Sequence, residues 1–383
     1  MKAVIPLTFT LVLCGGQLLA ASRSADTDKS SKRDAKTKPR IEVCFVLDTT
    51  GSMSGLIEGA KQKIWSIANE MVSAKPTPDL RFGLVAYRDR GDQFVTRRFD
   101  LTNDIDAVYA NLQGFRADGG GDLPESVNQA LHEAVTQMSW SKDRQVLKTI
   151  FLVGDSPPHM DYGDDVKYPE VCQLAAKRDL IINTVQCGNT PQTTPVWQEI
   201  AKLAEGSYAA IAQSGGMVAM ATPMDAELAT LNRKLGGTLV AYGGEPTRRR
   251  VAAKQLAAEA APAAAMADRL AFNARYGVAV QGEGELLDAL ANGKLKLAEV
   301  KKDQLPAELQ KLSAPELQAA VEKKQKERAD LQVEIAKLGK QREEYLAQER
   351  QRLAKSGKAD SFDEKVASIL HTQAARKGID YGK

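Results

Sequence analysis

The chain has 383 residues, 43% of them hydrophobic, which is enough for a real core and about two or three domains. Its 52 basic and 49 acidic residues leave a formal net charge of +3, too even a balance to point to nucleic acid. An aromatic content of 5% also argues against base-stacking surfaces.

The first residues read as a secretory signal. Lys2 is the charged start, Ala3 to Leu13 is apolar but too short to span a bilayer unaided, and small residues follow at Ala20, Ala21 and Ser22. Cleavage is expected near residues 20–24, which makes the protein exported, periplasmic or extracellular; an uncleaved anchor is the alternative. Cys14 follows Leu13 rather than a small residue, so lipidation is disfavoured. Residues 23–39 are polar and charged and read as a flexible linker. Cys44, Cys172 and Cys187 remain, an odd number without paired spacing; Cys44 and Cys187 fall in strands as buried thiols, and a Cys172–Cys187 bridge is left open.

From Arg40, strands and helices alternate. Ile41 to Leu47 is an apolar strand, and Leu56 to Val72 is an amphipathic helix with Ile57, Ala60, Ile64, Ile67, Ala68 and Met71 on one face. Leu80 to Tyr87 is a second strand, and Gln93 to Phe99 a half-exposed, antiparallel edge strand. Asn103 to Leu112 is a helix, as is Leu123 to Met138 with Pro124 in its first turn. Leu147 to Val153, Leu180 to Cys187 and Tyr208 to Ile211 are strands. Helices cover Tyr168 to Lys177, Val196 to Ala204 and Met224 to Leu235. The fold class is α/β: a mostly parallel sheet with helices on both faces over 40–240.

Gly236-Gly237 ends that domain. Residues 241–265 form an Ala/Arg-rich linker or surface helix, and Arg248-Arg249-Arg250 reads as a solvated charge cluster rather than a membrane contact. A mainly α-helical extension covers 266–383. Ser313-Ala314-Pro315-Glu316 is a capping box opening a charged helix over 314–355. Leu317, Val321, Leu331, Ile335, Leu338, Tyr345 and Leu346 fall near a/d spacing, a short coiled coil or helical hairpin open to self-association. Lys324 and Arg328 interrupt that seam, and Gly339 weakens the helix by about 1 kcal/mol relative to Ala.

Candidate chemistry concentrates in Asp48-Thr49-Thr50-Gly51-Ser52. One carboxylate and two hydroxyls, two residues apart on a turn after a strand, can face one point and suit Mg²⁺, Mn²⁺ or Ca²⁺. Asp122, in Gly119-Gly120-Gly121-Asp122-Leu123-Pro124-Glu125, and Asp155, ending Leu152-Val153-Gly154-Asp155, fall at the same sheet edge, where such folds bind ligands. Three carboxylates there would repel one another, and a divalent cation neutralises them. Turn and helix-cap chemistry is the plain alternative for Asp48 and Ser52, and a first-turn helix charge that for Glu125.

These segments resemble the von Willebrand factor A-type domain over residues 40 to 235. Asp48, Thr50 and Ser52 match its metal-ion-dependent adhesion motif, with Thr50 in place of a serine; Asp122 stands at the second-loop position and Asp155 at the third. Ala86-Tyr87-Arg88-Asp89 and Gly154-Asp155-Ser156-Pro157-Pro158-His159 look like the bacterial subgroup related to domains beside alpha-type kinases, without a kinase motif set. The resemblance implies a Rossmann-like domain binding Mg²⁺ or Mn²⁺ through Asp48, Thr50, Ser52, Asp122 and Asp155, with a partner's carboxylate completing the coordination. An aspartate at 122 adds charge that favours Ca²⁺ or weakens capture of an acidic ligand.

The other polar residues read blandly. Asp89 and Asp92 are loop charges bracing the site edge, and Arg90-Gly91-Asp92 is a chance match to an integrin-recognition string. His159 is a loop histidine near Asp155, His132 is structural, His371 is isolated, and the three form no zinc signature. Trp65, Trp140 and Trp197 are core or interface residues, and no P-loop, dinucleotide fingerprint or serine elbow occurs. The expected function is an exported, metal-dependent, non-enzymatic protein-binding module. Its rivals are a structural protein assembling through its helical tail and a metal-dependent hydrolase using His159 as base.

Overall fold

Strand β1, Arg40–Asp48, forms because Ile41 to Leu47 is apolar apart from Glu42. Glu42 is fully buried and answered by Arg81, whose Nη1 lies 3.2 Å from its Oε1. Such a run fits a central strand covered on both faces. The computed structural model describes residues 38–217, 220–355 and 362–382, with only the backbone described at 354 and 355. The expected signal segment 1–22 lies outside them, as does the expected linker up to residue 37.

Helix α1 (Ser54–Met71) follows a single 3₁₀ turn, then β2 (Asp79–Tyr87), β3 (Thr96–Thr102) and α2 (Ile105–Gln113). Next come α3 (Val127–Thr136), β4 (Leu147–Gly154), α4 (Tyr168–Lys177), β5 (Ile181–Cys187), α5 (Thr193–Leu203), β6 (Tyr208–Ile211) and α6 (Asp225–Gly237). The sheet order is β3-β2-β1-β4-β5-β6, parallel except for β3 at one edge. The chain leaves β1 towards β2 and returns to its other side as β4, so the switch in strand order falls between β1 and β4. Asp48 ends one of these neighbours and Asp155 follows the other.

One sheet face packs against α3, α4 and α5. The other packs against α1 and α2 and, from the far end of the chain, α12 (Phe362–Ala375), whose Phe362, Val366, Leu370 and Ala374 join the core of Phe45 and Phe151. The helices after Gly237 therefore fold back onto the sheet domain. The 245–259 segment, read as linker or surface helix, is helix α7 (Glu245–Glu259), which lies on α2 and ties Lys254 to buried Asp104. Helix α8 (Ala263–Tyr276) crosses α1 and α6; Arg269, 1% exposed, clamps both oxygens of Asp106 on α2 at 2.8 and 2.6 Å. Short α9 (Leu286–Ala291) and α10 (Ala307–Gln310) lead to α11 (Ala314–Lys355), a 42-residue helix lying along α6 and α8.

Two readings change here. Helix α3 starts at Val127 rather than Leu123, because the Glu125 N–H donates to Pro157 O at 2.9 Å and the segment pairs with Pro158 as an extended bridge. Pro124 thus precedes the helix. On α11, Arg328 does not merely break an apolar seam: it is buried and meets Glu285 and Asp288. Leu317, Val321, Ile335 and Leu346, named for self-association, are buried within the chain. Cys44, Cys172 and Cys187 are all free and buried, so no Cys172–Cys187 bridge forms. Among the described residues no helix is long and apolar enough to cross a membrane.

Candidate metal centre

Asp48 is fully buried at the end of β1, where the chain turns sharply into α1. Its Oδ1 accepts from the Thr50 N–H at 2.8 Å and from Thr50 Oγ1 at 2.6 Å, which locks the carboxylate and the hydroxyl into one orientation. Thr50 Oγ1 in turn lies 3.3 Å from Ser52 Oγ. The other carboxylate oxygen, Asp48 Oδ2, is buried with no hydrogen-bond partner. A buried acceptor left so is costly, by about 1–3 kcal/mol and more for a charge.

Asp155, immediately after β4, approaches from the neighbouring strand. Its Oδ1 accepts from Ser156 Oγ at 3.1 Å and its Oδ2 from Gln213 Nε2 at 2.6 Å. Gln213 also reaches Ser52 O at 3.3 Å, so it bridges the first and third loops. Thr193 and Trp197 of α5 hold the backbone here, donating to Asp155 O at 2.8 Å and Ser156 O at 3.1 Å. Gly154 is required by crowding: a Cβ there would stand 2.5 Å from Tyr87 Oη and 3.0 Å from Asp48 Oδ2.

Hydrogen bonds link Asp48 to Thr50, bring Thr50 beside Ser52 and, through Gln213, tie Ser52 to Asp155. The Asp122 side chain is 65% exposed, and its Oδ2 faces His159 Nε2 at 3.9 Å. The second-loop carboxylate that reaches inward is Glu125, 3% exposed, with Oε2 buried and unpartnered. Gly120, at φ +80° where glycine is favoured, lets Glu125 and Thr50 close over it: a Cβ would lie 3.2 Å from Glu125 Oε1 and 3.3 Å from Thr50 Cβ. Glu125 therefore faces the Thr50 turn from a buried position and is not a first-turn helix charge. Its signal in sequence was no stronger than that of Asp122; only the Pro157–Pro158 bridge decides which carboxylate turns in.

Burial dominates the electrostatics. It pushes the Asp48 carboxyl up to about 7, opposed by the Thr50 hydroxyl and reinforced by Asp155. It pushes Glu125 up to about 9, with Asp48, Asp89, Asp92 and Asp155 adding to the effect. Tyr87, missed in the sequence reading, adds a buried hydroxyl without a partner, raised by burial and then by Asp48, Glu125 and Asp155. Neighbouring carboxylates, two of them with orphaned oxygens, are a donor set for a hard divalent ion.

The loops are cross-stitched. Arg88 donates to Thr49 O at 3.2 Å and Arg116 O at 2.7 Å, while Asp92 accepts from the Gly120 N–H at 3.1 Å. Arg90 pairs with Asp164 and Asp165 and lies 4.0 Å over the Tyr162 ring, so Arg90-Gly91-Asp92 is engaged by its own fold.

A family profile described as von Willebrand factor A domain matches residues 42–223, a span that holds all six strands and the whole site apart from the first residues of β1. Residues 42–223 form a von Willebrand factor A domain. Mouse von Willebrand factor A domain-containing protein 7 is 33% identical over 136 residues, covering 36% of this chain and 14% of that protein. The human protein of the same name is 31% identical over 147 residues, covering 38% of this chain and 15% of that one. The chain thus spans a small part of the curated relatives it matches. Among solved structures, the SpRpn10 VWA domain aligns at 13% identity and TM-score 0.35, over 46% of this chain and 89% of that one. Proximal thread matrix protein 1 from the mussel byssus, with a zinc-occupied MIDAS motif, aligns at 16% identity and TM-score 0.37, over 46% and 42%.

Proposed function

We propose that the protein is an exported binding module whose von Willebrand factor A domain captures a protein partner through a divalent cation. The observation that carries this is Asp48 Oδ2, buried without a partner, on a side chain whose Oδ1 orients the Thr50 hydroxyl, with the Ser52 hydroxyl 3.3 Å from that of Thr50. Asp48, Thr50, Ser52 and Asp155 would hold the ion, with Glu125 in support. All-oxygen donors match Mg²⁺ or Mn²⁺, with Ca²⁺ as a competitor. The bound cation supplies a positive centre for a partner's carboxylate. Thr50 orients Asp48, Gln213 ties Ser52 to Asp155, and Arg88 fixes the turn between them. Export rests on Lys2, the apolar stretch Ala3 to Leu13, and Ala20 and Ala21.

Calorimetric titration with Mg²⁺, Mn²⁺ and Ca²⁺ tests the reading. Wild type should bind one ion that Asp48→Ala loses, and no binding at millimolar metal would overturn it. Capture of an envelope protein should then fail in chelator. Capture that survives Asp48→Ala but not deletion of 314–355 would favour assembly through the helical tail.

A further inference from the structure

We propose that Asp89, Asp122 and His159 form a second cation site, separate from the Asp48 centre, that takes a borderline ion such as Zn²⁺ or Co²⁺. One donor atom from each lies within 4.8 Å of the others. His159 Nε2 stands 3.4 Å from Asp89 Oδ2 and 3.9 Å from Asp122 Oδ2. The histidine is 6% exposed, and this nitrogen has no hydrogen-bond partner. A ring nitrogen buried against two carboxylates, yet bonded to neither, lacks a ligand.

The neighbouring side chains hold the imidazole as a metal-ligating histidine is held. His159 Nδ1 lies 2.8 Å from Asp161 Oδ1, which places the ring proton on Nδ1 and leaves the Nε2 lone pair aimed at Asp89 and Asp122. Tyr162 stacks on the imidazole with centroids 4.0 Å apart, and its hydroxyl donates to Asp89 Oδ2 at 2.8 Å. Ser126 Oγ donates to Asp89 Oδ1, also at 2.8 Å. The backbone is pinned from both sides: His159 N–H donates to Glu125 O at 3.0 Å, and Asn128 Nδ2 to His159 O at 2.6 Å. Two ligands are thus fixed in a buried wall, and the third, Asp122, faces solvent and provides the way in.

The donor chemistry separates the two sites. The Asp48 group offers only oxygen, whereas an imidazole with two carboxylates suits Zn²⁺, Co²⁺ or Ni²⁺ better than Mg²⁺. Three protein ligands with an open fourth position leave room for water or a partner's side chain. Asp122, which the sequence assigned to the first ion, serves the second.

The experiment is a Co²⁺ titration of the full chain in millimolar Mg²⁺, read by visible absorption and repeated with Zn²⁺ by calorimetry. Wild type should take up one equivalent, His159→Gln should lose it, and Asp122→Asn should bind at least about tenfold more weakly. Asp48→Asn should retain it while losing Mg²⁺-dependent thermal stabilisation, so this site and the first can fail independently. Asp122 is exposed, so its variant reports even if His159→Gln does not fold. No uptake by wild type, unchanged affinity in Asp122→Asn, or loss of Co²⁺ with Asp48→Asn would each overturn the proposal.

Discussion

Gln373, in the last helix, donates from Nε2 to Asn183 Oδ1 in β5 at 2.6 Å, across 190 residues of sequence. Asn183 answers through Nδ2 to Thr149 Oγ1 at 2.8 Å, and Thr149 donates to Gln373 Oε1 at 3.1 Å. All three side chains are buried, and the ring of bonds satisfies them on a sheet face otherwise apolar. Leu370, fully buried, packs one helical turn away. Helix α12 is thus a layer of the domain and not an appendage. Leu370→Ala should cost about 2–5 kcal/mol, as large-to-small core changes do. Deletion of 362–382 should leave a chain without a cooperative transition. Urea denaturation of the three proteins checks this; a truncated chain as stable as wild type would refute it.

Arg328 makes the second long-range tie. Its Nη1 and Nη2 meet Glu285 Oε2 and Oε1 at 3.0 and 3.1 Å, and Nη1 reaches Asp288 Oδ1 at 3.0 Å. Glu285 is fully buried and Asp288 nearly so. Arg328→Met should therefore destabilise by about 3–5 kcal/mol, since it strands two buried carboxylates. Lysine should restore only part of this, having no planar fork for the bidentate pair. A lysine variant as stable as wild type in thermal melts would show that the fork is immaterial.

How far the sequence reached follows from these contacts. The central strands were legible because each is an apolar run bounded by turns, whereas the antiparallel edge strand, expected at Gln93 to Phe99, forms three residues later as Thr96–Thr102. The closeness of Asp48, Thr50 and Ser52 was legible because their spacing acts within one turn. Glu125 was not, since its burial depends on Pro157 and Pro158, some thirty residues later. Arg328 was misread for the same reason: a charge at a seam position looks like an interruption unless carboxylates 40 and 43 residues earlier are known to meet it. Helix α12 carries an ordinary amphipathic pattern, and nothing local says that its apolar face covers β4.

Gly154 tests the tightness of the centre. A methyl group there meets Tyr87 Oη, Asp48 Cβ and Asp48 Oδ2 at 2.5, 2.9 and 3.0 Å, and two of these belong to a backbone-anchored turn that cannot retreat. Gly154→Ala should cost about 1–3 kcal/mol, within the range for overpacking. It should also weaken Mg²⁺ binding by displacing the Asp48 carboxylate. Stability and calorimetry together check it: a destabilised variant with wild-type affinity would show that the strand shifts and the carboxylate does not.

The metal-free protein should have an unusual pH profile. Burial raises folded Asp48 to about 7 and folded Glu125 to about 9, both above the values of the unfolded chain. The folded state then holds protons that the unfolded state has released. This contribution to stability is full below about pH 4 and is lost as pH rises, through about 7 for Asp48 and about 9 for Glu125, with a slope of at most about 1.4 kcal/mol per pH unit for each proton. Cation binding needs the ionised forms, so Mg²⁺ affinity should climb over the same window. Glu125→Gln removes the upper part of the titration. In chelator, wild type should therefore lose more stability than Glu125→Gln between pH 7 and 9, measured by denaturant unfolding at each pH. Parallel curves for the two proteins would mean that Glu125 ionises freely in the fold and does not share the buried field of Asp48 and Asp155.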